Sequence, residues 1–225
     1  SEMVKRDILK HYQVPEDRVM VVYNGVDLDR FNPSHRKSSR NELRQQLKIS
    51  DEEVIILFVG SGFERKGLEY LIKSVQYLKQ ENWKLVLVGK GKWKKYLNFA
   101  SEENRGKITH LEPIDEIEKL YAVADFFILP SIYEPFGNAN LEALASGLPI
   151  ITSRNCGVSE IITPKKEGII LEEPSDFKAM AKAIDYLMDS KNREPMRQSA
   201  RLLAQKFTQE RNASEMLKIY ENLIE

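Results

Sequence analysis

Along most of this chain, short continuous apolar runs alternate with stretches whose apolar residues recur every three or four positions. From Val54 the order is steady. VIILFVG reads as a buried strand, and Leu68–Leu78 as a helix with Leu71, Ile72, Val75 and Leu78 on one face. KLVLVG is the next strand, Lys92–Ala100 a helix, Ile108–Leu111 a short strand and Ile114–Val123 another helix. After Ile151 come a short helix at Ser159–Ile162 and a strand at Gly168–Leu171. Strands alternating with helices predict an α/β protein with a doubly wound parallel sheet and right-handed crossovers. Ahead of this region, Ser1–Tyr12 reads as a helix, with Val4, Ile8 and Leu9 on one side. A first strand is expected at Val19–Val22 and a tight turn at Asn24-Gly25. A linker with Pro33, Ser34, Ser38 and Ser39 follows, and Ser39-x-x-Glu42 predicts a capping box for the helix NELRQQL. The last fifty or so residues are helical only. Phe177, Met180, Ile184 and Leu187 form one apolar stripe, Leu202, Leu203 and Phe207 continue it, and Met216, Leu217, Tyr220 and Leu223 form the last.

The chain is organised around Asp125–Ser153, DFFILPSIYEPFGNANLEALASGLPIITS. Phe126–Leu129 is a buried strand, and Pro135 and Gly137 break the loop after it. Asn138 is expected to cap a helix that Gly147 stops, and Pro149–Ile151 begins the next strand. Two carboxylates stand here with seven residues between them, Glu134 in the loop and Glu142 on the helix. Leu141, Ala143, Leu144 and Ala145 make this the most apolar helix of the chain. An unpaired buried carboxylate costs several kcal/mol or shifts its pKa, so Glu142 needs a partner, either a backbone N–H or a ligand hydroxyl. Ligands of open α/β sheets bind beyond the carboxyl ends of the strands, where this loop lies, which favours the ligand. Asp125, at the start of the strand, reads as structural.

A second stretch, Gly60-Ser61-Gly62-Phe63-Glu64-Arg65-Lys66-Gly67, joins a buried strand to its helix. Glycines admit a ligand close to the backbone, and the helix N-terminus beyond offers free N–H groups suited to phosphate. Arg65 and Lys66 add two positive charges there. A solvated charged turn is the plainer reading of an Arg-Lys pair. It loses ground because this loop and Glu134 are expected at the same end of the sheet. A dinucleotide fingerprint does not fit, because four residues rather than two separate Gly62 from Gly67. Nor does KLVLVG lead to an acidic residue placed to hold a ribose.

Composition narrows the classes. Lys+Arg and Asp+Glu both total 34 over 225 residues, so no net charge draws the chain to nucleic acid. No apolar run approaches the roughly 20 residues of a membrane span, and no signal peptide opens the chain. One cysteine, Cys156, excludes an internal disulfide and fits a reducing, cytoplasmic compartment. Nothing near it in sequence activates the thiol. His11, His35 and His110 form no metal-ligand pattern. Lys90, Lys92, Lys94 and Lys95 with Trp93 and Tyr96 form a basic, aromatic stretch that reads first as an exposed helix face.

EPFGNANLE followed by ALASGLPII resembles the Glu-x7-Glu signature of retaining glycosyltransferases of the two-domain GT-B architecture, the glycosyl transferases group 1, with Phe136-Gly137, Glu142-Ala143 and Gly147-x-Pro149 in register. FVGSGFERKG and TSRNCG are similar to the lipopolysaccharide core glucosyltransferases of that family, with Ser61 where many relatives carry arginine. The resemblance covers nearly the whole chain. It implies a Rossmann-like donor-binding domain at 24–205, an interdomain connecting segment at 1–23 and a C-terminal crossover helix at 206–225. The chain begins inside an element, which reads as a piece of a longer protein, so the acceptor-binding first domain is expected outside it. The implied function is metal-independent, cofactor-free transfer of a sugar, with retention, from a UDP-sugar to a glycan or lipopolysaccharide-core acceptor, possible peripheral membrane association at the inner face included. Arg65, Lys66, Gly62, Gly137, Asn138 and Ala139 would bind the diphosphate, Glu142 the ribose, and Pro113 and Ile114 the base, while Glu134 would act beside the transferred sugar. A sugar-nucleotide epimerase of the same architecture and a non-catalytic sugar-nucleotide-binding module remain alternatives. A phosphorylase would need a pyridoxal-bearing lysine motif that the sequence does not display.

Overall fold

The apolar runs at 55–58, 126–129 and 148–151 do not alternate with polar residues, so a strand made from them must be covered on both faces. That is how they are used in the computed structural model, which describes residues 1–224, apart from the side chains of 37–39 and 224. Six strands form one sheet: β1 (Val54–Val59), β2 (Trp83–Val88), β3 (Ile108–Leu111), β4 (Phe126–Leu129), β5 (Ile150–Ser153) and β6 (Gly168–Leu171). Their order is β3-β2-β1-β4-β5-β6, and every neighbouring pair is parallel. All four residues of β4 and of β5 are buried.

Helices α1 (Glu2–His11), α2 (His35–Gln46), α3 (Leu68–Ser74), α4 (Glu102–Arg105), α5 (Ile117–Val123), α6 (Asn138–Ala145), α7 (Phe177–Met188), α8 (Ser190–Ala204) and α9 (Gln209–Ile224) surround the sheet. One layer holds α3 and α7 with the 3-10 turn Trp93–Phe99, and the other holds α2, α5, α6 and α8. The winding therefore reverses between β1 and β4. None of the described helices is long and apolar enough to cross a membrane.

Several local expectations give way to tertiary contacts. Val19–Val22 is extended but joins no sheet, and with Arg211, Glu215 and Ile219 of α9 it walls a groove. Asn24-Gly25 makes no turn; a Cβ on Gly25 would stand 2.2 Å from the Thr208 carbonyl oxygen, so glycine serves a close approach to the start of α9. Helix α2 begins at His35, so Ser38 and Ser39 lie inside it rather than at its start; the side chain of Ser39 lies outside the described residues. The stretch expected as a helix at Lys92–Ala100 is a 3-10 turn, and α5 starts at Ile117, three residues late, where Arg30 donates to the Asp115 carbonyl at 2.8 Å and to Glu118 at 3.0 Å. Helix α3 ends at Ser74 and passes into a 3-10 turn, and Gly157–Glu160 is likewise 3-10 rather than α-helical. Of the apolar stripe read through α8, Leu203 and Phe207 pack against the core, but Leu202 is 53% exposed.

What α8 turns inward instead is a ladder of arginines at fourfold spacing, Arg193, Arg197 and Arg201. Arg193 and Arg197 converge with Arg36 and Arg40 of α2 on Asp125, the nearest at 3.0 Å and the farthest at 3.9 Å. Asp125 also accepts the Ile55 N–H of β1 at 2.8 Å. Burial works against its charge, but the Ile55 N–H and the arginines more than offset that and hold the carboxyl below the usual carboxylate range. Further arginine hydrogens go to carbonyl oxygens at helix ends: Ala122, Val123 and Ala124 at the end of α5, Leu187 and Met188 at the end of α7.

Asp125→Asn should keep a hydrogen bond to Ile55 but strand the arginines, at a cost of about 3–5 kcal/mol. Because the native carboxyl titrates low, its contribution is complete above the ordinary carboxylate range near pH ~4 and is lost as pH falls through its own pKa. Urea midpoints should therefore differ strongly between wild type and Asp125→Asn at pH 7 and converge in acid. Equal midpoints at neutral pH would remove Asp125 from this role.

Candidate functional site

Loops leaving β1 and β4, the two strands at which the winding reverses, diverge over the carboxyl end of the sheet and leave a crevice there. Two local features fix them. The Ile132 N–H donates to the Arg65 carbonyl at 2.8 Å. Gly67, with φ of 72°, would carry a Cβ 2.0 Å from the Pro130 carbonyl oxygen, so glycine lets α3 begin directly against the β4 loop. On the far side, Glu134 N–H donates to Asn155 O at 2.9 Å, and the N–H groups of Gly157 and Val158 donate to Glu134 O and Phe136 O. The Glu134 loop is thereby held from both flanks.

This brings Arg65, Lys66 and Glu134 together. Arg65 Nη1 donates to Glu134 Oε2 at 2.9 Å and to the Tyr133 carbonyl at 2.8 Å. Lys66 Nζ pairs with the same Oε2. The side chains of Lys66 and Glu134 are only 11% and 12% exposed, so their attraction is weakly screened, whereas Arg65 is half exposed. Lys66 and Glu134 line a cavity of about 400 Å³ with Gly137, Asn138 and Ala139, closed on one side by Asn24 and by Ser1 and Val4 of the N-terminal segment.

Gly137, with φ of 93°, occupies the cap position of α6, so Asn138 does not cap the helix but is its first residue. A Cβ on Gly137 would stand 2.8 Å from both Asn140 Nδ2 and Cys156 Sγ. The Asn138 side chain accepts from Asn24 Nδ2 at 2.6 Å instead. The first N–H groups of α6 have no partner within the helix and border the cavity. Cys156 is buried beneath; burial pushes its thiol up to about 11, and it donates to Phe136 O at 3.1 Å, which makes it packing rather than a nucleophile.

Glu142 lines neither this cavity nor the second one described below. Its partner is a third possibility that the sequence did not suggest, the Tyr121 hydroxyl, which donates to Oε2 at 2.8 Å. Burial pushes the Glu142 carboxyl up, opposed by that hydrogen bond and by Arg30. Burial beside this carboxylate raises the Tyr121 hydroxyl well above its ordinary value. Pro113 and Ile114 are exposed in the turn before α5 and line neither cavity. Gly62 and Arg65 line a second cavity, of about 640 Å³. Among the described residues, no cluster of His, Cys, Asp or Glu could hold a metal ion.

Residues not expected at the site come from the N-terminal segment. Ser1 Oγ donates to Pro135 O at 2.5 Å, and Tyr133 donates to Asp7 of α1 at 2.7 Å. Glu160 accepts the N–H groups of Glu2 and Met3 and the Tyr23 hydroxyl, an arrangement that, with burial, pushes Tyr23 up to about 12. These partners are separated by more than a hundred positions and share no local motif.

Residues 39–203 match the model of the family described as glycosyl transferases group 1. An uncharacterized glycosyltransferase of Methanocaldococcus jannaschii is 33% identical over 232 residues, covering 100% of this chain and 59% of its own. The lipopolysaccharide glucosyltransferase WaaG of Escherichia coli K12 is 30% identical over 172 residues, covering 75% and 46%; a crystal structure of WaaG superposes with a TM-score of 0.80 at 28% identity, covering 89% and 55%. An Anabaena protein, HepE, solved in complex with UDP-glucose, shares the fold at a TM-score of 0.82 and 19% identity, covering 99% and 62%. The chain thus spans less than two thirds of the length of these curated relatives. A six-stranded doubly wound sheet, with its charged crevice at the reversal of winding and the family's sequence pattern across it, belongs to a glycosyltransferase fold, and the chain is a member of the glycosyl transferases group 1 family.

Proposed function

We propose that this domain binds the diphosphate of a UDP-sugar between Arg65, Lys66 and the N-terminus of α6, and serves a retaining transfer of the sugar that uses no metal ion. The observation that carries the reading is the convergence of Arg65 and Lys66 on Glu134, with Lys66 and the first N–H groups of α6 bordering one small cavity at the switch point. A diphosphate entering it exchanges places with the Glu134 carboxylate as partner of both cations. Lys66 and Arg65 then offset the charge that grows as the sugar–phosphate bond breaks, and the α6 N–H groups add fixed donors at the leaving oxygen. Glu134, released, lies beside the transferred sugar, and Glu142 turns from Tyr121 to the ribose hydroxyls. Pro113 and Ile114 lie at the base.

The relatives' names support the transferase class, and the WaaG likeness favours a glucose donor and a lipopolysaccharide-core acceptor. HepE was solved with UDP-glucose. The connecting role of 1–23, the donor domain at 24–205 and the crossover role of 206–225 belong to the same proposal. Leu217, Tyr220 and Leu223, all more than half exposed, form the face of α9 that would pack on a first domain. The whole enzyme would act in the cytoplasm, at the inner membrane face where its acceptor is.

Calorimetry with UDP in EDTA should give binding, and magnesium should not be required. No binding at millimolar UDP, or strict dependence on magnesium, would overturn the proposal. Lys66→Ala should weaken UDP far more than uridine, because it removes one of the two cations that would face the diphosphate.

The two glutamates should separate. Glu142→Gln should weaken UDP by about 1–3 kcal/mol while thermal stability stays level or rises, since Gln still accepts from Tyr121 and removes a buried charge. Glu134→Gln should leave UDP affinity level or higher, because it frees both cations, yet slow turnover of the whole enzyme. Identical behaviour of the two variants toward UDP would refute this division of roles.

A further inference from the structure

The donor reading gives no work to Arg30, which stands between the two places where the nucleoside would lie. The turn from β3 into α5, residues 112–116, is exposed throughout and carries Pro113 and Ile114. It is held from outside at one point. Arg30 Nη2 donates to the Asp115 carbonyl at 2.8 Å, while Nε donates to Glu118 of α5 at 3.0 Å. The planar guanidinium fork thus fixes two acceptors at once. Among the described residues, no other hydrogen bond ties 112–116 to anything beyond the adjoining β3 and α5.

Arg30 is itself fixed. Asp27 accepts the N–H groups of Asp29 and Arg30 at 3.0 and 2.9 Å, and Arg201 donates to the carbonyls of Leu28 and Phe31 at 3.1 and 2.7 Å. The Arg30 guanidinium lies 5.4 Å from the Phe31 ring centroid. Phe31 is buried and meets Tyr121, the partner of Glu142, edge to face at 5.5 Å. The segment Asp27–Phe31 therefore backs both the exposed turn and the Glu142 carboxylate. It does so from a part of the chain distant from both in sequence. The Arg30 charge also reaches Glu142, where it opposes the burial that pushes that carboxyl up. Without Arg30 the turn would have to be ordered when a ligand binds, and that ordering would cost affinity.

We propose that Arg30 is a positioning residue for the nucleoside half of the donor site, holding the Pro113–Ile114 turn in place relative to Glu142 so that a base and its ribose meet both. The inference rests on the donor reading above and adds to it a residue that acts through the turn, not by contact with the diphosphate.

The test is an NMR amide-shift titration of this chain and its variants with UDP and with pyrophosphate, which has the diphosphate but no nucleoside. Arg30→Gln should weaken UDP about tenfold and leave pyrophosphate unchanged. The Arg30 side chain is 47% exposed, so the thermal midpoint should move little. Arg30→Lys keeps the charge but cannot hold both acceptors in one plane, and it should recover little of the loss. Glu118→Gln spares the Asp115 bond and should bind UDP within about twofold of the unaltered chain. Equal weakening of UDP and pyrophosphate by Arg30→Gln would overturn the proposal, since Arg30 would then act on the diphosphate or the whole fold. Full recovery by Arg30→Lys would overturn it in favour of charge alone, and a Glu118→Gln loss as large as that of Arg30→Gln would overturn it in favour of the ion pair. UDP binding that Arg30→Gln leaves unchanged refutes the positioning role and leaves the donor reading standing. An unaltered chain that binds pyrophosphate but gains nothing from the nucleoside of UDP refutes the nucleoside part of the donor reading, and this inference with it.

Discussion

Asp125 is one carboxylate among four guanidinium groups, and the layer that covers one face of the sheet is assembled on it. Helix α2 has few apolar residues with which to dock, and α8 turns its arginines, Met196 and small alanines inward. Both helices attach mainly through charge. Leaving those arginines buried without the carboxylate would cost several kcal/mol, so the arrangement holds only when strand, helices and helix-end carbonyls are all in place. Its effect is to anchor the first residue before β4 to β1 and to both covering helices at once.

Strand β4 is four residues long, so the far end of this anchor lies only about 13 Å from the loop that carries Glu134. The same strand thus carries a charge cluster at each end, but the two differ in kind. At the Asp125 end, the cations also donate to carbonyl oxygens at helix ends, and the carboxylate they surround is sealed. At the Glu134 end, the cations face cavities, Arg65 is half exposed, and the helix-end N–H groups beside them border open space. A sealed cluster suits a scaffold. An open one with matched charge suits exchange, in which an incoming anion replaces the carboxylate and so gains less than its bare attraction to two cations.

The strand and helix succession was legible in the sequence because burial on both faces demands unbroken apolar runs, and Val54–Val59, Phe126–Leu129 and Gly168–Leu171 were all found where those runs lie. The glycine loop and the Glu134 loop were legible as neighbours because parallel strands with short crossovers place their carboxyl ends together. That Arg65, Lys66, Glu134, Gly137, Asn138 and Ala139 would face one region therefore followed from the sequence alone. Their roles toward a ligand did not.

What only the tertiary structure decided are the choices in which distant groups compete with local preference. Val19–Val22 has strand-forming residues but no free sheet edge to join, so it runs along α9. Ser39 has the pattern of a cap, but Arg36 and Arg40 must reach Asp125, and the helix starts earlier to deliver them. Asn138 is a good capping residue displaced by Gly137, whose missing Cβ makes room for Asn140 and Cys156. Glu142 was legible as a carboxylate in need of a partner, but Tyr121, on another helix, could not be named from spacing. In each case the sequence determined which groups were available, and three-dimensional proximity, which local periodicity does not encode, determined which of them met.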